Sequence, residues 1–195
     1  MRVIAVFDFD GTITKKDTFL EFIKFVKGKK SFYIGLLMYS PMLLAYKLRM
    51  YPNWKAKQKI FSYFFSRMDY RDFCKYGIDF SRKISDFTNS KIINKIKWHR
   101  EQGHTIYVIS ASIEEWVVPW CLQNGITNVL STKIKVDKNN LIIGTLKSKN
   151  CYGQEKVNRL LEMEPNRSSY FLYAYGDSDG DKEILAFANK GIFVE

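Results

Sequence analysis

The chain is poor in the residues that staple small folds or hold soft metals: its 195 residues include three cysteines, two histidines and four prolines. Cys74, Cys121 and Cys151 are widely spaced with no Cys-x-x-Cys pair, which argues against a disulfide framework and a zinc site and for the reduced thiols of a cytoplasm. His99 and His104 have no ligand partner at useful spacing and are read as structural. No charged leader with a cleavage site opens the chain, since Asp8 follows too soon, so an intracellular location is expected. The aromatic and aliphatic stretch Phe32 to Tyr46 is uncharged for fifteen residues and contains Ser40-Pro41, short of the roughly 20 residues that span a bilayer. Repeats and low-complexity tracts are missing as well. Acidic residues are scarce relative to basic ones, 20 against 31, and the net charge of +11 favours anionic partners.

What the chain does have is 46% hydrophobic content, enough to bury a real core, and one telling stretch near its start. Asp8-Phe9-Asp10-Gly11-Thr12 follows the apolar run Val3 to Phe7 directly. An apolar run without polar alternation reads as a strand covered on both faces, and the carboxyl end of such a strand is where an open α/β sheet does its chemistry. Asp8 and Asp10, two apart, share a side, and Gly11 permits a sharp turn with free N–H groups. A simple turn, open because Asp and Gly are turn residues whatever the function, is the lesser reading of the segment taken alone. Two more short apolar runs weigh against that: Thr105 to Ile109 ends in Ser110-Ala111-Ser112, and Tyr170 to Tyr175 ends in Gly176-Asp177-Ser178-Asp179-Gly180-Asp181. Three strands ending in small or acidic residues converge on one site of carboxylates, hydroxyls and free amides.

In the order Asp8-x-Asp10-Gly11-Thr12, Ser110 after a strand, Lys156, and Gly176-Asp177-x-x-x-Asp181, the chain resembles the haloacid dehalogenase superfamily of phosphohydrolases from end to end of its catalytic core. The resemblance implies that Asp8 is the nucleophile that takes the phosphoryl group and Asp10 the general acid and base. Ser110 and Lys156 then clamp the phosphate, with Phe9, Gly11, Thr12 and Ala111 contributing around it. A Mg²⁺ ion falls to Asp8, the backbone carbonyl of Asp10 and Asp177, with Asp181 in support. The physical logic runs parallel. A dianionic phosphomonoester repels a carboxylate until a hard cation and positive donors neutralise it, and Mg²⁺ needs only one or two carboxylates beside the phosphate. Covalent transfer to an aspartate divides the reaction into two steps, and one acid/base residue serves both. Dehalogenases of the superfamily lack the second Asp, and its membrane-pumping ATPases carry Lys where Phe9 stands, so a phosphatase is expected.

Lys156, near a helix start, is on its own an ordinary surface lysine. The segment Cys151 to Lys156 is similar to the corresponding segment of bacterial phosphatidylglycerophosphatases in the phosphoserine-phosphatase-like branch. Asp17, nine residues after Asp8, corresponds to an acidic substrate-selecting residue that is Glu in phosphoserine phosphatases; as a residue it is equally an N-cap for a helix from Thr18.

The expected fold class is α/β, a Rossmann-like parallel sheet core with a helical cap inserted between the first and second motifs. Residues 1–14 and 88–195 form the core and 15–87 the cap, because far more residues than a crossover needs lie between Thr12 and the Ser110 strand. Helical spacing covers Thr18 to Val26, Trp54 to Arg67 and Tyr70 to Ile84. A further helix is expected over Ser90 to Glu101, closed by Gly103, and another near Glu155 to Glu162. A short strand is expected near Asn128 to Leu130, a hairpin from Lys133 to Leu146, and an edge strand at Ile192 to Val194. Much of the positive charge, Lys24, Lys27, Lys29, Lys30, Lys47 and Arg49 among it, flanks the Phe32 to Tyr46 stretch. A basic rim around apolar and aromatic residues suits either a Pro-kinked buried helix pair or docking on the inner face of an anionic membrane. The partner is then a phosphorylated small molecule or a phospholipid such as a phosphatidylglycerophosphate. A soluble phospho-amino acid is the alternative substrate, and a basic nucleic-acid-binding protein the alternative class, for which no motif speaks.

Overall fold

The computed structural model describes residues 1–48 and 50–195; Arg49, one of the basic residues of the expected cap, lies outside the described residues. β1 (Arg2–Phe7) is the middle strand of a sheet, which accounts for its unbroken apolar run. β2 (Thr105–Ile113) pairs along one of its edges and β6 (Tyr170–Gly176) along the other, both parallel. β3 (Asn128–Thr132) extends the sheet beyond β2, and β7 (Lys190–Phe193) extends it beyond β6, also in parallel, so the order is β3-β2-β1-β6-β7. The helices α5 (Ser90–Glu101), α6 (Glu114–Gln123), α7 (Gln154–Met163) and α8 (Lys182–Phe187) fall between strands along the chain. Parallel pairing therefore brings the carboxyl ends of β1, β2 and β6 together, where the three motif segments begin.

Among the described residues, four α-helices stand between β1 and α5: α1 (Thr18–Met38), α2 (Ser40–Lys47), α3 (Asn53–Phe65) and α4 (Tyr70–Ile84). α1 and α4 start at side-chain caps, Asp17 accepting from the Leu20 N–H and Asp69 from that of Arg71, and Asn89 ahead of α5 accepts from that of Lys91; α2 and α3 start without one. α1 consists of two helical segments that meet at the non-helical Gly28 (φ 78°, ψ 158°), so the first ends beside the expected Val26 and the second carries on to Met38. The chain leaves and re-enters the sheet region through adjoining segments: Lys15 N donates to Phe87 O and Asn89 N to Ile13 O, each at 2.8 Å. The antiparallel hairpin β4 (Ile134–Val136) and β5 (Ile142–Leu146) forms as the turn residues suggest, but it packs on the inserted helices. Ile142 N donates to Met68 O at 3.0 Å and Leu146 N to Gln58 Oε1 at 3.3 Å.

One aromatic cluster joins the insertion to the sheet layers. Phe22 of α1 stacks on Trp116 of α6 at 4.4 Å between centroids and meets Phe73 and Phe80 of α4 edge-on. On the other part of the core, buried His99 bonds through Nε2 to the Tyr175 hydroxyl (2.9 Å) and through Nδ1 to His104 (2.8 Å), and burial lowers its pKa to about 4. Both histidines are accounted for by these contacts. All three cysteines are free thiols, and burial pushes Cys151 up to about 11. No helix among the described residues is long and apolar enough to cross a membrane.

The seam between α4 and α6 is close. A Cβ on Gly77 would lie 2.2 Å from the Glu115 carbonyl oxygen, so only glycine lets the helices approach this far. The Glu115 side chain beneath it is buried, with Oε2 lacking a partner among the described residues. Burial pushes its carboxyl up to about 7, and a hydrogen bond with Tyr70 offsets only part of that rise. The folded protein thus holds this proton more tightly than the unfolded chain, whose value is near 4.5. Stability from the protonated form is complete below about pH 4.5 and is lost as pH rises through about 7. Glu115→Gln carries no charge, so it should gain on the wild type across that window, reaching about 3 kcal/mol at its upper end. Urea midpoints at several pH values test this, and parallel curves for the two proteins would refute it.

Candidate active site

At the end of β1, Asp8 N still donates to Tyr175 O (2.9 Å), so the first acidic residue is held as firmly as the strand itself. Asp8 is buried, and Lys156 Nζ lies 2.5 Å from its Oδ1 and 2.5 Å from Asp181 Oδ1. Lys156 occupies the first turn of α7, whose N-cap is Gly153, where a cation opposes the helix dipole. Its two carboxylate partners offset that placement. Arg159, one turn on, donates to Ser131 O and Lys149 O, both at 2.5 Å, and ties α7 to the end of β3. Gly11 (φ 82°) turns the chain under Asp177; a Cβ there would stand 2.1 Å from Asp177 Oδ2. Thr12 Oγ1 donates to Asp177 Oδ1 at 2.9 Å. The fully buried Asp181 uses Oδ2 to accept from Ser178 Oγ (2.9 Å) and Ser178 N (3.1 Å), which locks the acidic loop.

Asp10 is oriented from two sides. Its Oδ1 accepts from Thr18 N (2.8 Å) and Thr18 Oγ1 (2.6 Å), and its Oδ2 accepts from the Ser112 hydroxyl. Ser112 reaches it because β2 slips register against β3 between Ile109 and Ile113, a bulge that re-aims the Ser110-Ala111-Ser112 stretch. β2 therefore continues through these residues to Ile113, where the apolar pattern alone ends it at Ile109. Ser110 is buried, and its hydroxyl accepts from the Ser112 N–H at 2.9 Å. Trp116 Nε1 donates to Thr18 Oγ1 at 3.0 Å, so the aromatic cluster also braces Asp10.

A cavity of about 470 Å³ opens over this cluster. Of the residues picked out from sequence, Asp8, Asp10, Gly11, Asp17, Ala111, Lys156 and Asp177 line it, whereas Phe9, Thr12, Ser110 and Asp181 lie outside its lining. The Phe9 ring packs edge-on against Trp120 at 5.3 Å between centroids. Asp17 caps α1, as its position suggests, and it also stands on the cavity wall. Sequence reasoning missed Thr18, Ser112 and Ser178, whose hydroxyls resemble any others in the chain. It also missed Lys57, which lines the cavity and donates to Ala111 O at 2.8 Å. Lys15, Lys16, Leu20, Leu43 and Tyr46 complete a mouth that is part cationic and part apolar.

Asp8, Asp177 and Asp181 present oxygens within 4.8 Å of one another. Such an all-oxygen set fits a hard divalent cation such as Mg²⁺, not zinc or copper. Burial pushes Asp8 up to about 7 against the pull of Lys156, and burial likewise raises Asp177 against its hydrogen bond from Thr12. Burial works against the Lys156 charge too, yet Asp8 and Asp181 hold its pKa above the ordinary lysine value. Crowded carboxylates that resist ionisation are a site that gains from positive charge. Chemically, the arrangement offers a nucleophilic carboxylate beside a fixed cation and a second, separately oriented carboxylate for proton transfer.

A family model for haloacid dehalogenase-like hydrolases matches residues 5–186. Protein CicA of Caulobacter vibrioides (strain NA1000 / CB15N) is 29% identical over 199 residues, covering 96% of this chain and 84% of CicA. Among solved structures, a protein from Bordetella pertussis Tohama I whose function is unknown superposes with a TM-score of 0.82 at 14% identity, over 95% of this chain and 86% of that one. A phospho-aspartyl intermediate analogue of phosphoserine phosphatase superposes at 0.66 with 16% identity, over 96% and 83% of the two chains. At such identities the superpositions establish the fold.

Removing Lys156 strands two buried carboxylates. Lys156→Met should therefore lower stability by about 3–5 kcal/mol in metal-free buffer, with part of the loss recovered in Lys156→Met/Asp181→Asn. Chemical denaturation measures both, and a Lys156→Met midpoint equal to wild type would disprove the bridging role.

Proposed function

Because the chain belongs to the haloacid dehalogenase-like hydrolase family, we propose that it is a phosphatase that cleaves phosphomonoesters through a transient phosphoryl ester on Asp8. The observation that carries this reading is the Lys156 bridge between Asp8 and Asp181 at the foot of a cavity whose wall also bears the separately braced Asp10. Asp8 attacks phosphorus, the bond to the leaving alkoxide breaks, and Asp10 gives that oxygen a proton. Water then attacks phosphorus, Asp10 takes up its proton, and the acyl phosphate bond breaks to release inorganic phosphate and Asp8. Lys156, bonded to Asp8 before substrate arrives, supplies a donor for the phosphoryl oxygens, and amides near Phe9 and Ala111 supply others. Ser110 belongs to the same clamp through the bulged Ser110-Ala111-Ser112 stretch of β2. Asp8, Asp177 and the carbonyl of Asp10 would hold Mg²⁺, with Asp181 in support, and the ion when bound neutralises the phosphate charge and polarises it.

Residues 1–14 and 88–195 act as the catalytic core in this reading and residues 15–87 as the cap. The cap contributes Asp17, Lys57, Leu43 and Tyr46 to the cavity wall. Lys15, Lys16 and Lys57 there favour a substrate with a further anionic group beyond the phosphate that is cleaved. Phosphoserine and a phosphatidylglycerophosphate headgroup both meet that condition. A panel containing both, with nucleotides and simple alkyl phosphates, separates them.

Asp8→Asn should abolish Mg²⁺-dependent release of inorganic phosphate, and rapid quench of the wild type with labelled substrate should trap a hydroxylamine-sensitive adduct. Full activity in Asp8→Asn, or in excess chelator, would end the proposal. Thr18→Val removes one hydroxyl from Asp10 and should lower kcat by about tenfold with KM little changed, as expected for a group that acts on proton transfer alone. A rise in KM at constant kcat would instead assign Thr18 to substrate binding.

A further inference from the structure

Between Glu21 and Asp69 the chain carries ten Lys and Arg and not one Asp or Glu, so this segment alone accounts for +10 of the net charge of +11. The same segment holds the largest concentration of exposed apolar side chains among the described residues. Tyr33, Ile34, Leu37 and Met38 of α1 are 58–75% exposed, and Leu44 and Leu48 at α2 are 59% and 61% exposed. On a helix, positions 33, 34, 37 and 38 fall on one face. α2, Ser-Pro-Met-Leu-Leu-Ala-Tyr-Lys, buries none of its residues although five of its eight are apolar aliphatic or aromatic side chains. Lys29, Lys30 and Lys47 flank this face, exposed and without an ion pair among the described residues.

We propose that this face, the second half of α1 with α2, docks on the surface of an anionic lipid bilayer. The occupant follows from the combination of features. Large aliphatic side chains ringed by unpaired lysines match the acyl and headgroup layers of such a surface, whereas a nucleic acid would offer phosphates to the lysines and nothing to Ile34, Leu37 and Leu44. A second copy of this chain would bring the same concentrated positive charge against itself. No helix among the described residues is long and apolar enough to span a membrane, so the contact proposed is peripheral. Leu43 and Tyr46, on α2 itself, line the cavity over Asp8, so docking sets the mouth of the site at the headgroup layer. This orientation matters for catalysis only on the phosphatase reading above; the docking itself does not rest on it.

Sedimentation with vesicles tests the proposal without turnover. The wild type should pellet with vesicles of phosphatidylcholine containing about one third phosphatidylglycerol and should bind pure phosphatidylcholine at least about tenfold more weakly. Lys29→Glu/Lys30→Glu/Lys47→Glu should lose binding by a similar factor, and Leu37→Ser/Leu44→Ser should lose the part that survives high salt. Both variants should keep wild-type hydrolysis of a small soluble phosphomonoester, which checks that they fold. Asp8→Asn should pellet as the wild type does, so a failure of the catalytic reading and a failure of docking give different results. Equal binding to neutral and anionic vesicles, no binding to either, or variants that bind like the wild type would each overturn the proposal. So would dimerisation in solution that Leu37→Ser/Leu44→Ser abolishes, since a second copy would then cover the face.

Discussion

A single buried ammonium makes the rest of the site possible. The parallel sheet delivers Asp8 from β1 and Asp177 and Asp181 from the end of β6 to one small volume, where like charges and burial oppose ionisation. Lys156 stands between two of them, and the structure spends several local irregularities to put it there. It sits in a helical first turn that disfavours cations, on a helix whose N-cap Gly153 has φ 63° and whose next turn is pinned by Arg159 to two backbone carbonyls. Local rules broken together at one place are what a functional site looks like in an otherwise consistent fold.

The second carboxylate is held by different means, and the difference fits a different task. Asp10 makes no contact with Lys156; hydroxyls and an N–H surround it, groups that can follow a proton on and off a carboxyl without leaving a charge unpaired. Its support runs outward from Thr18 to the indole of Trp116 and then to Phe22, Phe73 and Phe80. Packing in the middle of the molecule is in this way coupled to the orientation of one side chain at the cavity floor. Two carboxylates two residues apart thus acquire separate environments from the two structural layers that meet at the end of β1.

The sheet and the carboxylate positions were legible because each rested on a local pattern with one physical meaning. β1 reads as central because no polar residue interrupts Val3 to Phe7, and α4 and α5 begin where expected because Asp69 and Asn89 cap them. The rest depended on tertiary contacts that leave no local trace. Ser112 reaches Asp10 through a bulge set by pairing with β3, and Ser110, given the more prominent role, has its hydroxyl turned to the Ser112 N–H. The hairpin at Lys133 to Leu146 was visible from its turn residues, but its packing on α3 depends on Gln58 and the Met68 carbonyl, far away in sequence. Lys57 looked like one more solvated lysine of a basic stretch until the fold set it on the cavity wall.

The same tertiary contacts limit how the insertion can move. Swinging residues 15–87 away from the sheet as a body would unstack Phe22 from Trp116, part Gly77 from the Glu115 carbonyl, and strip β5 from α3. Each large apolar side chain exposed in that way costs roughly 1.5–3 kcal/mol, so several together rival the roughly 5–15 kcal/mol by which a typical domain is stable. α2 is held more lightly, because it buries none of its residues and, among the described residues, touches the core only through the partly buried Met42 and Leu43. Leu43 and Tyr46 belong to that helix and also line the cavity, which sets this wall beside the apolar and cationic outer face and leaves it with less buried contact to hold it in place.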